Sequence, residues 1–161
     1  MFRGTIRSLE LKDVESVGEI FDLYWHDNFR QNLEDKLQKY TSNDSDLAVQ
    51  NFKFFVAEEN GEVVGVAAIR RAPQHMKGYT TTSNPGEFYV AAAKERGRGI
   101  GKALIMRRFD EAKKDGYTEI VLFGGETHQD SWGIYDKNFE RAGAATAPNG
   151  EKGFVWRKLL N

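Results

Sequence analysis

EFYVAAAKERGRGIGKALIMRRFDEAKKDG, residues 87–116, changes its apolar period partway along. Residues 87–91 read as a strand. Ile105, Phe109 and Ala112 recur at helical spacing and predict a helix over 99–115, with Gly116 as its stop. Between the two lies RGRGIG, residues 96–101. A turn that leads from a strand directly into a helix leaves the first helical N–H groups unpaired and aimed at one point, and the helix dipole adds partial positive charge there. Gly97, Gly99 and Gly101 let an anion approach the backbone, while Lys94, Arg96, Arg98 and Lys102 put cations around the rim. The plain alternative is a loop eased by glycine, with its arginines solvated.

Two phosphate-binding patterns fail on residue identity. The P-loop needs glycine five positions before the Gly101-Lys102 pair, where Arg96 stands, and Ser or Thr at Ala103. The dinucleotide pattern GxGxxG ends on Lys102 when counted from Gly97 and on Leu104 when counted from Gly99.

Working toward the N-terminus, Asn60-Gly61 supplies the positive backbone angles of a tight hairpin between strands at 52–58 and 63–70. A strand is expected at 5–11. Asp13 is expected to cap a helix whose apolar face is Val14, Val17, Ile20, Phe21 and Tyr24, and a second helix from about Gln31 carries Leu33, Leu37 and Tyr40. Residues 41–45 read as loop. Residues 72–85 are rich in turn formers, with room for a strand at 79–82. Toward the C-terminus a strand is expected at 118–123, and a last helix capped by Asp130 or Ser131 is expected to run to Ala142 and stop at Gly143. A hairpin at Asn149-Gly150 leads to a strand at 153–159.

The chain has 161 residues, enough for one compact domain over 1–161. Its 40% hydrophobic and 29% charged residues describe a globular chain rather than a disordered one. A net charge of −1 argues against broad nucleic-acid binding, so a phosphate ligand should be small. The absence of cysteine removes disulfides, thiolate metal sites and a cysteine nucleophile, and three scattered histidines suggest no metal centre. Charges interrupt the first residues before an apolar signal core forms, and no window is long and apolar enough to span a membrane, so a cytoplasmic protein is expected.

Arg96, two residues, Gly99, one residue and Gly101 resemble the Q/R-x-x-G-x-G/A signature of the GNAT superfamily of N-acetyltransferases. IRSLELKDVESV, FFVAEENGEVVGVAAIR and YDKNFERAGA are similar to its first strand and helix, its second and third strands, and its closing helix. The resemblance implies an α+β, three-layer α/β/α fold, with a mixed, mostly antiparallel sheet of about seven strands and four helices. It implies acetyl-CoA as acyl donor, and a primary amine on a small molecule or peptide as acceptor. In that family pantetheine lies where the fourth and fifth strands splay. Backbone groups of Val90, Ala91 and Ala92 would pair with it, and amides of Arg96, Gly97, Arg98, Gly99, Ile100 and Gly101, with Lys102 at the rim, would take the pyrophosphate. The family commonly has proline about five residues before the loop, and AAAK stands here instead.

The family often draws its acid from a tyrosine in Y-x-x-x-G-F, and Phe139 occupies that position. Tyr135, one turn earlier, is the candidate acid or else a packed aromatic. Glu87 is the candidate base or else an exposed strand-end carboxylate. Ser131 fits a helix cap, and Asn138 fits a pantetheine contact or an exposed side chain. Glu126, Thr127, His128 and Asp130 follow the fifth strand, where His128 is a surface histidine or a base. His26 and His75 carry no role. Tyr24, Trp25, His26, Phe29 and residues 71–79 could line the acceptor side. The terminal strands offer edges for a homodimer.

Overall fold

The computed structural model describes residues 1–81 and 84–160. Among them β1 (Thr5–Ser8), α1 (Val14–Asp22), α2 (Asn28–Thr41), α3 (Ser45–Val49), β2 (Lys53–Glu59) and β3 (Glu62–Arg71) come first. A small hairpin of β4 (His75–Met76) and β5 (Tyr79–Thr80) follows, then β6 (Pro85–Ala93), α4 (Ile100–Lys114) and β7 (Glu119–Gly125). The chain closes with α5 (Trp132–Asn138), β8 (Glu140–Thr146) and β9 (Lys152–Leu159). Seven strands form one mixed sheet in the order β1-β2-β3-β6-β7-β9-β8. Its β6–β7 ladder is parallel, and the β1–β2, β2–β3, β7–β9 and β8–β9 ladders are antiparallel.

The chain divides into two compact units, Met1–Arg70 with Val90–Phe109, and Arg71–Tyr89 with Asp110–Asn161. In the first, Val17, Ile20 and Phe21 of α1 and Leu33 and Leu37 of α2 are buried with Phe54 and Val56 of β2 and Leu104 of α4. Asn60 and Gly61 both take positive φ, 53° and 76°, as a primed hairpin turn requires. In the second, Val121 and Val155 form a core with Ala72 and Met76, on which Tyr79 and Ala145 pack.

Several expected boundaries move, each for a local reason. Helix α2 starts at Asn28 because the Asp27 carboxylate accepts the Phe29 N–H at 3.1 Å, a cap that a polar first turn hides from apolar periodicity. Asp13 is not a side-chain cap of α1. It occupies the third position of a 3-10 turn, Leu11–Asp13, where it accepts the Glu10 N–H at 2.8 Å and the Arg7 guanidinium at 2.7 and 2.9 Å. The expected loop at 41–45 shrinks to residues 42–44, because α2 runs to Thr41 and α3, capped by Asp44, begins at Ser45. The expected strand at 79–82 is present at Tyr79–Thr80, and Thr82 lies outside the described residues.

The largest correction concerns the last helix. It ends at Asn138 rather than Ala142, because Phe139 turns extended at φ −137° and ψ 173°, and residues 140–146 pair with β9 instead. Ser131 stands at its N-cap without a side-chain capping bond. A 3-10 turn, Glu126–Ser131, feeds directly into α5, and Ser131 already has helical angles. Gly143, expected as the helix stop, lies at the irregular step of the β8–β9 ladder.

Candidate functional site

The glycine-rich loop belongs to the first unit. Gly97 and Gly99 have φ of 77° and 86°, the left-handed region in which a Cβ is penalised, and a Cβ at Gly97 would meet nothing within 4 Å. The backbone there is bent by glycine and open beyond it. Ala103 donates to the Gly99 carbonyl at 3.1 Å, closing the first turn of the 15-residue α4, so the amides of Ile100, Gly101 and Lys102 precede that bond. This arrangement fits a pyrophosphate.

The rim differs from expectation. Lys94 pairs with Glu62, and the Arg98 guanidinium lies 2.8 Å from Glu59 while its carbonyl accepts the Phe2 N–H at 2.6 Å. These two side chains brace the loop against the β2–β3 hairpin instead of facing outward. Arg96 is exposed and lies over the Tyr24 ring at 5.7 Å, and Lys102 is exposed. The Tyr24 hydroxyl donates to the Ala93 carbonyl at 2.5 Å, fastening the end of β6 to the chain just beyond α1. Of the residues expected to meet pantetheine, Val90 and Ala92 are buried and Ala91 is exposed. The Val90 carbonyl accepts from Arg108, a buried α4 arginine that also donates to the Ala68 carbonyl at 3.2 Å. Sequence reading missed Arg108 and the Tyr24 bond, because each is satisfied by backbone carbonyls that lie far away in sequence.

The acid–base candidates belong to the second unit. Glu87 is buried at 5% exposure, which removes its reading as an exposed strand-end group. Tyr135 packs its ring on Trp156 at 5.2 Å. Phe139 is buried against Phe88 at 5.6 Å, edge to face. The Asn138 amide donates to the Ile134 carbonyl at 2.7 Å. Thr127 binds Glu151 through its N–H at 3.0 Å and through its hydroxyl. His128 sits at a kink of the 3-10 turn, His75 contacts the Thr80 hydroxyl at 3.2 Å, and His26 is exposed. Trp25 and Phe29 pack on one another at 5.4 Å.

Around α5 the structure shows two features that the sequence did not. Asp136 accepts from Arg141 at 2.9 and 3.0 Å and from the Trp156 indole at 2.8 Å, and Arg141 lies over the rings of Trp132, Phe154 and Trp156. Those bonds hold the Asp136 carboxyl below the usual range, Arg141 contributing most. Lys77, Glu126, Trp132, Lys152 and Phe154 help to line a cleft of about 570 Å³. Glu119, fully buried, accepts the Tyr79 hydroxyl at 2.8 Å, with Arg157 3.9 Å away. Burial first, and then the bond to Glu119, raise the Tyr79 pKa.

The acetyltransferase (GNAT) family model matches residues 15–140. N-acetyltransferase 8 of Mus musculus is 32% identical over 99 residues, 60% of this chain and 42% of that protein. The chain thus spans about two fifths of the length of the curated relatives it matches. Among solved structures, a GNAT-family protein of Desulfovibrio desulfuricans superposes with a TM-score of 0.81 at 14% identity, covering 99% of this chain and 100% of that one. PaiA N-acetyltransferase of Thermoplasma acidophilum, solved in complex with coenzyme A, gives 0.65 at 16% identity, covering 98% and 99%.

Proposed function

Because the chain belongs to the acetyltransferase (GNAT) family, we propose that it is an N-acetyltransferase moving an acetyl group from acetyl-CoA to a primary amine. The observation that carries this reading is the loop at 96–101, whose left-handed glycines and α4 amides form a cradle for a pyrophosphate. In this proposal the backbone of Arg96, Gly97, Arg98, Gly99, Ile100 and Gly101 holds the pyrophosphate, with Lys102 adding charge. Val90, Ala91, Ala92 and Asn138 serve the pantetheine arm; the Val90 carbonyl also accepts from Arg108.

Chemistry proceeds by direct attack. The amine nitrogen bonds to the thioester carbonyl carbon, the carbon–sulfur bond breaks, and sulfur leaves as a thiolate. Glu87, buried at 5% exposure, takes a proton from the ammonium so that the neutral amine attacks. Tyr135 gives a proton to the thiolate and regains one from the nitrogen of the adduct. A cytoplasmic location, a single-domain organisation and a homodimer formed through an edge strand, β1 or β8, belong to the same proposal.

Calorimetric titration with acetyl-CoA and CoA tests the cradle, and CoA release with a panel of amines and peptides tests the transfer. No binding overturns the reading. Binding without release from any amine favours a second one, a CoA-binding module without turnover, for which Phe139 in the core at the family's acid position speaks.

A further inference from the structure

We propose that the cleft lined by Lys77, Glu126, Trp132, Lys152 and Phe154 is the acceptor site, and that it takes a small primary amine that also carries a carboxylate. The inference rests on the N-acetyltransferase reading and adds the acceptor's chemical class to it.

Lys77 is the first observation. Among the described residues four non-glycine ones have positive φ, and the other three, Asn43, Asn51 and Asn60, are of a type that visits this region readily. Lysine has no such ease, and the two-residue turn it forms with Gly78, at φ 91°, imposes the conformation. The β4–β5 hairpin holds it there. Met76 is buried in the core, the Tyr79 hydroxyl is bonded to buried Glu119, and the Lys77 ammonium lies over the Phe123 ring at 4.9 Å. Packed neighbours on both sides thus fix where the Lys77 ammonium stands, on the lining of the cleft.

Charge is the second. Among the described residues Lys77, Lys152 and Glu126 are in no ion pair, although they line one cleft. Two ammonium groups and one carboxylate complement a ligand that carries an anion and a cation together. The lysines take the ligand's carboxylate, and Glu126 takes its ammonium.

The third is the lining. Trp132 and Phe154 meet edge to face at 5.3 Å and give the cleft an apolar wall. The volume, about 570 Å³, suits a small molecule with an apolar group rather than an extended chain.

Phenylalanine and phenylalaninamide, titrated calorimetrically into the full chain at a pH that protonates both amines, differ in charge only at the carboxyl end. Phenylalanine is expected to bind about tenfold more tightly. Lys77→Gly removes the ammonium yet suits the left-handed backbone, so it folds, and it should erase most of that difference; Lys77→Arg should keep it. Lys152→Ala should weaken phenylalanine and spare the amide, and Glu126→Gln should weaken both. Equal affinities, no binding of phenylalanine, or an unchanged preference in Lys77→Gly overturns the proposal. CoA release is read separately: no release from any amine, with the binding pattern intact, counts against the N-acetyltransferase reading and leaves the cleft's specificity standing.

Discussion

Tyr135 and Asp13 show how one side chain can be judged by what its removal leaves behind. Tyr135→Phe keeps the ring that packs on Trp156 and deletes only the proton. In the proposed role its loss lowers kcat by about a hundredfold and leaves the affinity for acetyl-CoA nearly unchanged. Steady-state kinetics with calorimetry decides this, and an unaltered kcat removes Tyr135 as the acid. Asp13 is structural. Its bonds from Arg7 hold its carboxyl below the usual range, ahead of the opposing effect of burial. A carboxylate with a depressed folded pKa stabilises fully above the unfolded value, near 4, and loses that contribution as pH falls through the folded one. Asp13→Asn should therefore cost roughly 2–3 kcal/mol near neutral pH, and the gap should narrow at about pH 3. Urea unfolding at the two pH values checks it.

Among the elements, those that carried local signals were legible. Asn60-Gly61 fixed a hairpin and Gly116, at φ 75°, ended α4 where expected. The α5–β8 junction departs from the expected helix end because Glu140, Arg141 and Ala142 are good helix formers, and only pairing with β9 overrides that preference. Asp136 and Arg141 clamp this junction, one on the helix and the other on the strand. Asp136→Ala removes acceptors for both Arg141 and the Trp156 indole, whereas Arg141→Ala frees one carboxylate to solvent. Both variants should unfold at lower urea, Asp136→Ala more so, since it leaves the donor of an otherwise fully buried tryptophan unpaired. Equal midpoints would show that the indole bond contributes nothing.

For the whole molecule, a ligand that binds only the folded chain must raise its stability by mass action. Acetyl-CoA at a hundred times its dissociation constant should add about 2.7 kcal/mol, seen as a higher thermal midpoint. Gly97→Val, which puts a branched side chain at φ 77° and into the open side of the cradle, should lower the midpoint without ligand and abolish most of the ligand-dependent rise. A rise undiminished in Gly97→Val would place the donor elsewhere. The sequence by itself determined the order of most elements and the glycine-bent turn into α4, because caps, turn glycines and apolar periods act over a few residues. Tertiary structure alone decided that Arg98 braces the loop, that Glu87 is buried, that residues 140–146 are a strand, and that Lys77 shares a cleft with Lys152. Each of these depends on partners remote in the chain, whose approach no local pattern encodes.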